Sequence, residues 1–330
     1  MIALRITVNK NLPGFFSIAH LCVLFTMGNQ FSKWAIFIVL CMIWGSSFKL
    51  MHDSQLGLNA IQIAALRIFS AGVVFIPFAF FHIRKIPRRK MALVIFTAVL
   101  GNLLPAFLFA EAITKLDSSL AGILNALTPL CVVVIGIFFF KDHIKKQKIL
   151  GVITGFVGLV LLTLLPMALQ NEKLNLVNFG YTFLIVAATF FYGFNINLVG
   201  HYLKNVNPVH VATVSIASMT IPTGFILWQQ HFFALDFTNA TIQYSVGASV
   251  ILGVAGSAIA TALFYILVKK AGILFSALVT YGVPFIAMIW GIIDGENITW
   301  VQWFCLFIIL AGVYLANLPD KKKATSIDIA

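Results

Sequence analysis

Residues 118–140 read SSLAGILNALTPLCVVVIGIFFF and residues 149–169 read ILGVITGFVGLVLLTLLPMAL, with KDHIKKQK (141–148) between them. The two runs hold 23 and 21 residues and no charged side chain. Wound as α-helices, each reaches at least about 30 Å, the thickness of a bilayer's hydrocarbon core. A membrane β-barrel needs segments of about 10 residues that alternate apolar and polar, and neither run alternates. The pair therefore predicts two membrane helices joined by a short basic turn.

The same grammar extends in both directions. Apolar runs occur at 34–51, 60–81, 91–113, 118–140, 149–169, 179–200, 208–228, 245–268, 273–293 and 300–318. Of 330 residues, 61% are hydrophobic and only 10% charged, where a soluble domain has about 25% charged residues. The mean hydropathy is +1.00. These figures exclude a soluble globular protein, a disordered chain and a fibre. The expected fold is an all-α integral membrane protein of ten transmembrane helices.

Charge gives the orientation. With the N-terminus placed in the cytoplasm, eighteen lysines and arginines fall in inner segments, including Arg84, Lys85, Arg88, Arg89 and Lys90, and only Lys115 and Lys173 fall outside. Cytoplasmic loops are the ones enriched in basic residues, so both termini are expected in the cytoplasm. The net charge of +12 is thus a topology signal, and no nucleic-acid partner is implied. The expected location is the cell inner (plasma) membrane, with the lipid bilayer as the main surrounding.

The expected organisation is an N-terminal segment (1–33), a first five-helix repeat (34–169), an outer linker (170–178), a second five-helix repeat (179–318) and a cytoplasmic tail (319–330). Residues 13–27 are apolar but too short to span, and translation is expected to start at Met27, without residues 1–26. The two halves can be overlaid. With a shift of 148, Gly45 meets Gly193, Asn59 meets Asn207 and Trp44 meets Tyr192. With a shift of 155, Val99, Gly101, Pro129 and Gly136 meet Val254, Gly256, Pro284 and Gly291. With 154, Asp142 meets Glu296 and Gly158 meets Gly312. Five helices is an odd number, so the second copy enters the membrane inverted. Inverted repeats are a recurring plan of secondary transporters.

The motifs in these repeats resemble the drug/metabolite transporter superfamily, in its ten-helix EamA-type branch. The resemblance rests on WGSSF (44–48), LR (66–67), SSLAGILNALTPL (118–130), FFFKDHI (138–144) and GVITGFVGLVLL (151–162). The second copy contributes VPF (283–285), GEN (295–297) and ILAGVYL (309–315). Asp142 and Glu296 occupy the places where an acidic residue follows the fourth and ninth helices in such families. The resemblance implies export or exchange of small metabolites, often amino acids or related amphipathic solutes.

Polar residues within spans are the site candidates. Trp44, Ser47, Asn125, Tyr192, Asn195 and Tyr281 share a mid-membrane depth. Arg67 lies about 10 Å down the second span, where it snorkels, meets Glu111 or meets a substrate carboxylate. Glu111 is the only carboxylate within a span, either paired with Lys115 one turn on or a proton carrier. Pro129 and Pro284 each remove a backbone donor and kink their helices, freeing the carbonyls of Asn125 and Thr280. Gly151, Gly155 and the small residues of the eighth span read as packing faces, and Lys49 reads as a snorkelling lysine.

Catalytic signatures are absent: there is no HExxH, GxSxG or Walker loop. Cys22, Cys41, Cys131 and Cys305 form no CxxC pair and read as core residues. No cofactor and no metal site is expected, and the oligomeric state is open between monomer and homodimer. The expected function is a secondary transporter with a small-molecule substrate and alternating access. Its alternatives are a proton-coupled antiporter using Glu111, a channel and a lipid-handling membrane protein.

Overall fold

The computed structural model describes residues 29–141, 146–170, 176–277 and 279–317. Asp142, the centre of the 170–178 linker, the segment up to residue 28 and the tail from 318 lie outside them. Among the described residues every regular element is helical. In chain order they are α1 (Asn29–Ser54), α2 (Ala60–His82), α3 (Arg88–Ile113), α4 (Ser118–Phe140) and α5 (Lys146–Gln170). There follow α6 (Leu176–Tyr202), α7 (Pro208–Gln229), α8 (Ala240–Phe264, continuing to Ala277), α9 (Val279–Ile293) and α10 (Trp300–Asn317).

Seven of these, α1 to α4 and α6 to α8, carry an apolar stretch long enough to cross a bilayer. Three shorter apolar helices lie in α5 (Ile149–Leu162), α9 and α10 (Trp300–Leu315). The outer surface is apolar too: Ile221, Phe81, Phe138 and Phe307 are each more than two-thirds exposed. A water-soluble protein rarely leaves so much apolar area uncovered. The chain is an integral membrane protein.

Helices pair closely where small residues let backbones meet. α5 packs along α10, α1 along α9, and α4 along α6. A side chain at Gly312 would run into the backbone nitrogen of Gly155, so the packing role read for Gly151 and Gly155 is what these glycines do. α2 is wedged between α7, α8 and α3. One large apolar cluster, from Leu40 in α1 to Ile309 in α10, runs through the bundle.

The two halves use matching devices at matching positions. Asn59 caps α2 by accepting from the Gln62 amide at 2.8 Å, and Asn207 caps α7 by accepting from the Val209 amide at 2.9 Å. A side chain at Gly45 would lie 2.9 Å from the Val283 carbonyl of α9, and one at Gly193 would lie 2.9 Å from the Val132 nitrogen of α4. α3 loosens into a π turn at Val99–Leu103 and α8 does so at Val254–Ile259. Those turns begin at the residues that overlay with a shift of 155. The Leu104 amide reaches the Val99 carbonyl and the Ala260 amide reaches the Ala255 carbonyl.

Three expectations need correction. Pro129 does not kink a continuous helix: α4 breaks, its first part ending at Asn125 and its second starting at Thr128, with the proline in the new first turn. There the missing N–H costs nothing. The Asn125 carbonyl is not freed either, because the Thr128 hydroxyl donates to it at 2.8 Å. Lys49 does not snorkel; its Nζ lies 2.7 Å from Asp53 and 2.7 Å from Asp294. Pro284 does sit inside its helix.

Candidate functional site: a central cavity

Where α1, α3, α4, α6 and α8 converge they leave a cavity of about 280 Å³. α1 gives it Trp44, Ser47, Phe48 and Met51; α2 gives Arg67. Asn102 and Phe109 come from α3, Asn125 and Thr128 from α4, and Tyr192 from α6. Gly256, Ser257 and Thr261 of α8 and Thr280 of α9 complete the wall.

Local structure explains why polar groups gather here. Both π turns end on this cavity: Gly101 and Asn102 lie in one, Gly256 and Ser257 in the other. A π turn widens the helix and swings carbonyls out of line, which is why such turns recur at functional sites. Trp44 Nε1 donates at 2.9 Å to the carbonyl of Gly256 inside the α8 turn, and its ring rests 5.6 Å from that of Phe264. The break in α4 presents Asn125 and Thr128 at the same level. Ser47 closes back on the Ile43 carbonyl at 2.9 Å.

Of the residues expected at the site, the cavity brings together Trp44, Ser47, Arg67, Asn125 and Tyr192. Asn195 faces an adjoining cavity of about 180 Å³, which shares Gly101, Asn102 and Thr261 with the first. The Asn195 side chain lies against Gly101, and its Oδ1 is buried without a partner. Tyr281 packs against the apolar core, and its neighbour Thr280 lines the cavity in its place. Glu111 is exposed, and among the described residues it forms no ion pair with Lys115 or Arg67. Asn102, Thr128, Ser257 and Thr261 were missed. The pair VLGN (99–102) and VAGS (254–257), which overlay in the repeat, was the available signal for two of them.

Ion pairs and hydrogen bonds tie the helices together at the end that carries Asp53 and Asp294. Lys49 of α1 bridges those two carboxylates, and the Tyr244 hydroxyl of α8 donates to Asp53 Oδ2 at 2.9 Å. Glu296, after α9, takes over the N-terminus of α4. Its Oε1 accepts from the Ser118 amide at 2.9 Å and hydroxyl at 2.7 Å, and its Oε2 accepts from the Ser119 amide at 3.1 Å. A carboxylate at a helix N-terminus satisfies orphan amides and meets the positive end of the helix dipole. Asp117 occupies the cap position yet makes no side-chain cap. Burial, then the Glu296 charge, raises its carboxyl above the ordinary carboxylate range, with His52 opposing.

Titratable clusters are few. Among the described residues no three His, Cys, Asp or Glu side chains gather as a metal would need. Cys41, Cys131 and Cys305 are unpaired thiols. His82 and His210 meet edge to face at 4.6 Å near the other end of the bundle.

The profile of the EamA-like transporter family matches this chain twice, at residues 32–164 and 179–318. The chain therefore belongs to the EamA-like transporter family. It is similar to a WAT1-related chloroplastic protein of Arabidopsis thaliana, 21% identical over 295 residues, which cover 88% of this chain and 70% of that one. An uncharacterized transporter of Synechocystis sp. is 22% identical over 311 residues, covering 87% of this chain and 90% of the other. A solved crystal structure shares the fold, with a TM-score of 0.57 at 17% identity, over 87% of this chain and 96% of that one. The protein is a membrane transporter of small solutes.

Proposed function

We propose that this chain is a secondary transporter that exports or exchanges a small amphipathic metabolite, by alternating access around the central cavity. The observation that carries the reading is the cavity itself. It lies between a half built on α1 and α8 and a half built on α3, α4 and α6, with matching π turns on its two sides. Two five-helix units of opposite orientation supply two similar arrangements, one open to each side. The double family match and the paired caps support such a repeat. With ten spans and the Arg84–Lys90 cluster in the cytoplasm, the tied end faces outward. The adjoining cavity lined by Asn195, Val199 and Val211 then leads inward.

A wall of Trp44, Phe48, Phe109 and Tyr192 with interspersed amides suits an amphipathic solute with an apolar body and polar groups. The described carboxylates stand away from this wall, so the geometry favours exchange or facilitated movement over proton coupling through Glu111. The test is reconstitution of the purified protein and a counterflow screen across metabolites. Alanine at Trp44, Asn125 or Tyr192 should each lower counterflow about tenfold, the loss of one good contact of about 1.4 kcal/mol, with folding retained. Normal counterflow in all three variants would move the site elsewhere. Flux that rises linearly with gradient, without counterflow, would make the protein a channel.

A further inference from the structure

We propose that the central cavity selects a solute of net negative charge, a carboxylate on a compact aromatic or apolar frame, and that Arg67 is the residue that reads it. The inference rests on the transport reading for movement of the solute, but not for its binding.

Arg67 comes from α2 and its side chain lines the cavity. Its Nε is shut from solvent and has no hydrogen-bond partner, and among the described residues no carboxylate pairs with the guanidinium. An arginine cannot shed its proton in a protein. A buried charge without a partner is costly, and partners are the rule. The Tyr192 phenol lines the same cavity and is uncharged near neutrality.

The other described acids are all engaged or distant. Asp53 and Asp294 hold Lys49, Glu296 holds the start of α4, and Asp117 stands beside it. Asp236 binds Thr238 in an exposed turn, and Glu111 is exposed. The described wall therefore carries one positive charge and nothing to balance it. It also offers donors in the Asn102 and Asn125 amides and the Tyr192 hydroxyl. Two backbone carbonyls that an ammonium would want are already used, and no carboxylate stands on the described wall to balance its charge. Trp44 holds the Gly256 carbonyl and Thr128 holds the Asn125 carbonyl. A zwitterion would find its carboxylate satisfied and its ammonium without a countercharge; a cation would meet repulsion. An anion balances the charge of the described wall. Arginine suits the task because its planar fork matches a carboxylate with two parallel hydrogen bonds.

The experiment compares three compounds of one frame, phenylpropanoate, phenylalanine and phenylethylamine, on the purified full-length protein at neutral pH. Binding is read by Trp fluorescence and by thermal shift. Phenylpropanoate should bind at least about tenfold more tightly than either of the others, the scale of one hydrogen bond to a charged group. Arg67→Met should abolish that preference, and Arg67→Lys should restore part of it. The ligand-free Arg67→Met protein should melt no lower than the wild type, since it loses an uncompensated charge; a purely structural arginine would lower it. Equal binding of the amine or the zwitterion, no binding of the carboxylate, or undiminished carboxylate binding in Arg67→Met overturns the assignment. Tight carboxylate binding without counterflow refutes the transport reading and leaves the anion site standing. Phenylalanine counterflow that survives Arg67→Met does the reverse.

Discussion

Gly312→Leu should destabilise the protein by about 3 kcal/mol or more, the upper end of what overpacking costs. A side chain at position 312 would collide with the backbone nitrogen of Gly155 and lie 2.7 Å from the Gly151 carbonyl. Both obstacles are main chain, so neither can rotate away, and α10 must separate from α5. Gly158, one turn on in α5, has a softer neighbour in part. A methyl there meets the Ile309 side chain but also lies 3.0 Å from the Ile309 nitrogen. Gly158→Ala should therefore cost clearly less than Gly312→Leu. Reversible unfolding in mixed micelles measures both. A Gly312→Leu protein as stable as the wild type would mean that this helix pair is not held by backbone contact.

Glu296→Ala should cost about 2–3 kcal/mol, the scale of hydrogen bonds to a charged group plus a helix cap. The carboxylate holds three donors on Ser118 and Ser119, two residues that are themselves fully buried. Removing it strands the first amides of α4 with no other cap, since Asp117 does not bond them. Glu296→Gln should cost less, because its amide oxygen still accepts from Ser118 while its NH₂ faces the Ser119 donor. Function should change as well as stability. Glu296 ties the end of α9 to the start of α4, so the alanine variant should expose the Asp53 end of the cavity more often. An added cysteine at Thr128 should then react faster with a maleimide supplied from that end. Unchanged reactivity together with unchanged stability would contradict the role given to Glu296.

Much of this was legible in the chain because a bilayer leaves so few options. Uncharged runs of 20 residues can only be helices there, and the repeat match of Asn59 with Asn207 is legible too, although the helix caps these two side chains form are seen only in the structure. Trp44, Asn125 and Tyr192 were findable because polar groups at mid-depth need a reason. What stayed hidden depends on three-dimensional contact. The π turns leave no mark in hydropathy, since a helix one residue wider has the same composition, and with them went Asn102 and Ser257. Lys49 was misread because its second partner, Asp294, is far along the chain. The carbonyl of Asn125 reads as free in the sequence because proline's lost donor is visible there, while the bond from the Thr128 hydroxyl that replaces it is not.

The central claim is that solute crosses by opening the Asp53 end and the opposite end in turn. The most direct measurement is counterflow through a protein whose tied end is covalently locked. Ser119 of α4 and Gly291 of α9 face each other, a side-chain carbon at 291 lying 2.8 Å from Ser119 Cβ. That is about 1 Å inside the spacing of a relaxed disulfide, about 3.8 Å, and a side chain at 291 also meets the Glu296 carboxylate, so α9 must shift outward for the bond to form. Cysteines at these two positions, in a background lacking Cys22, Cys41, Cys131 and Cys305, should cross-link on oxidation. Alternating access predicts that oxidation stops counterflow in proteoliposomes and that reduction restores it. Full counterflow through the oxidised, cross-linked protein would contradict the account.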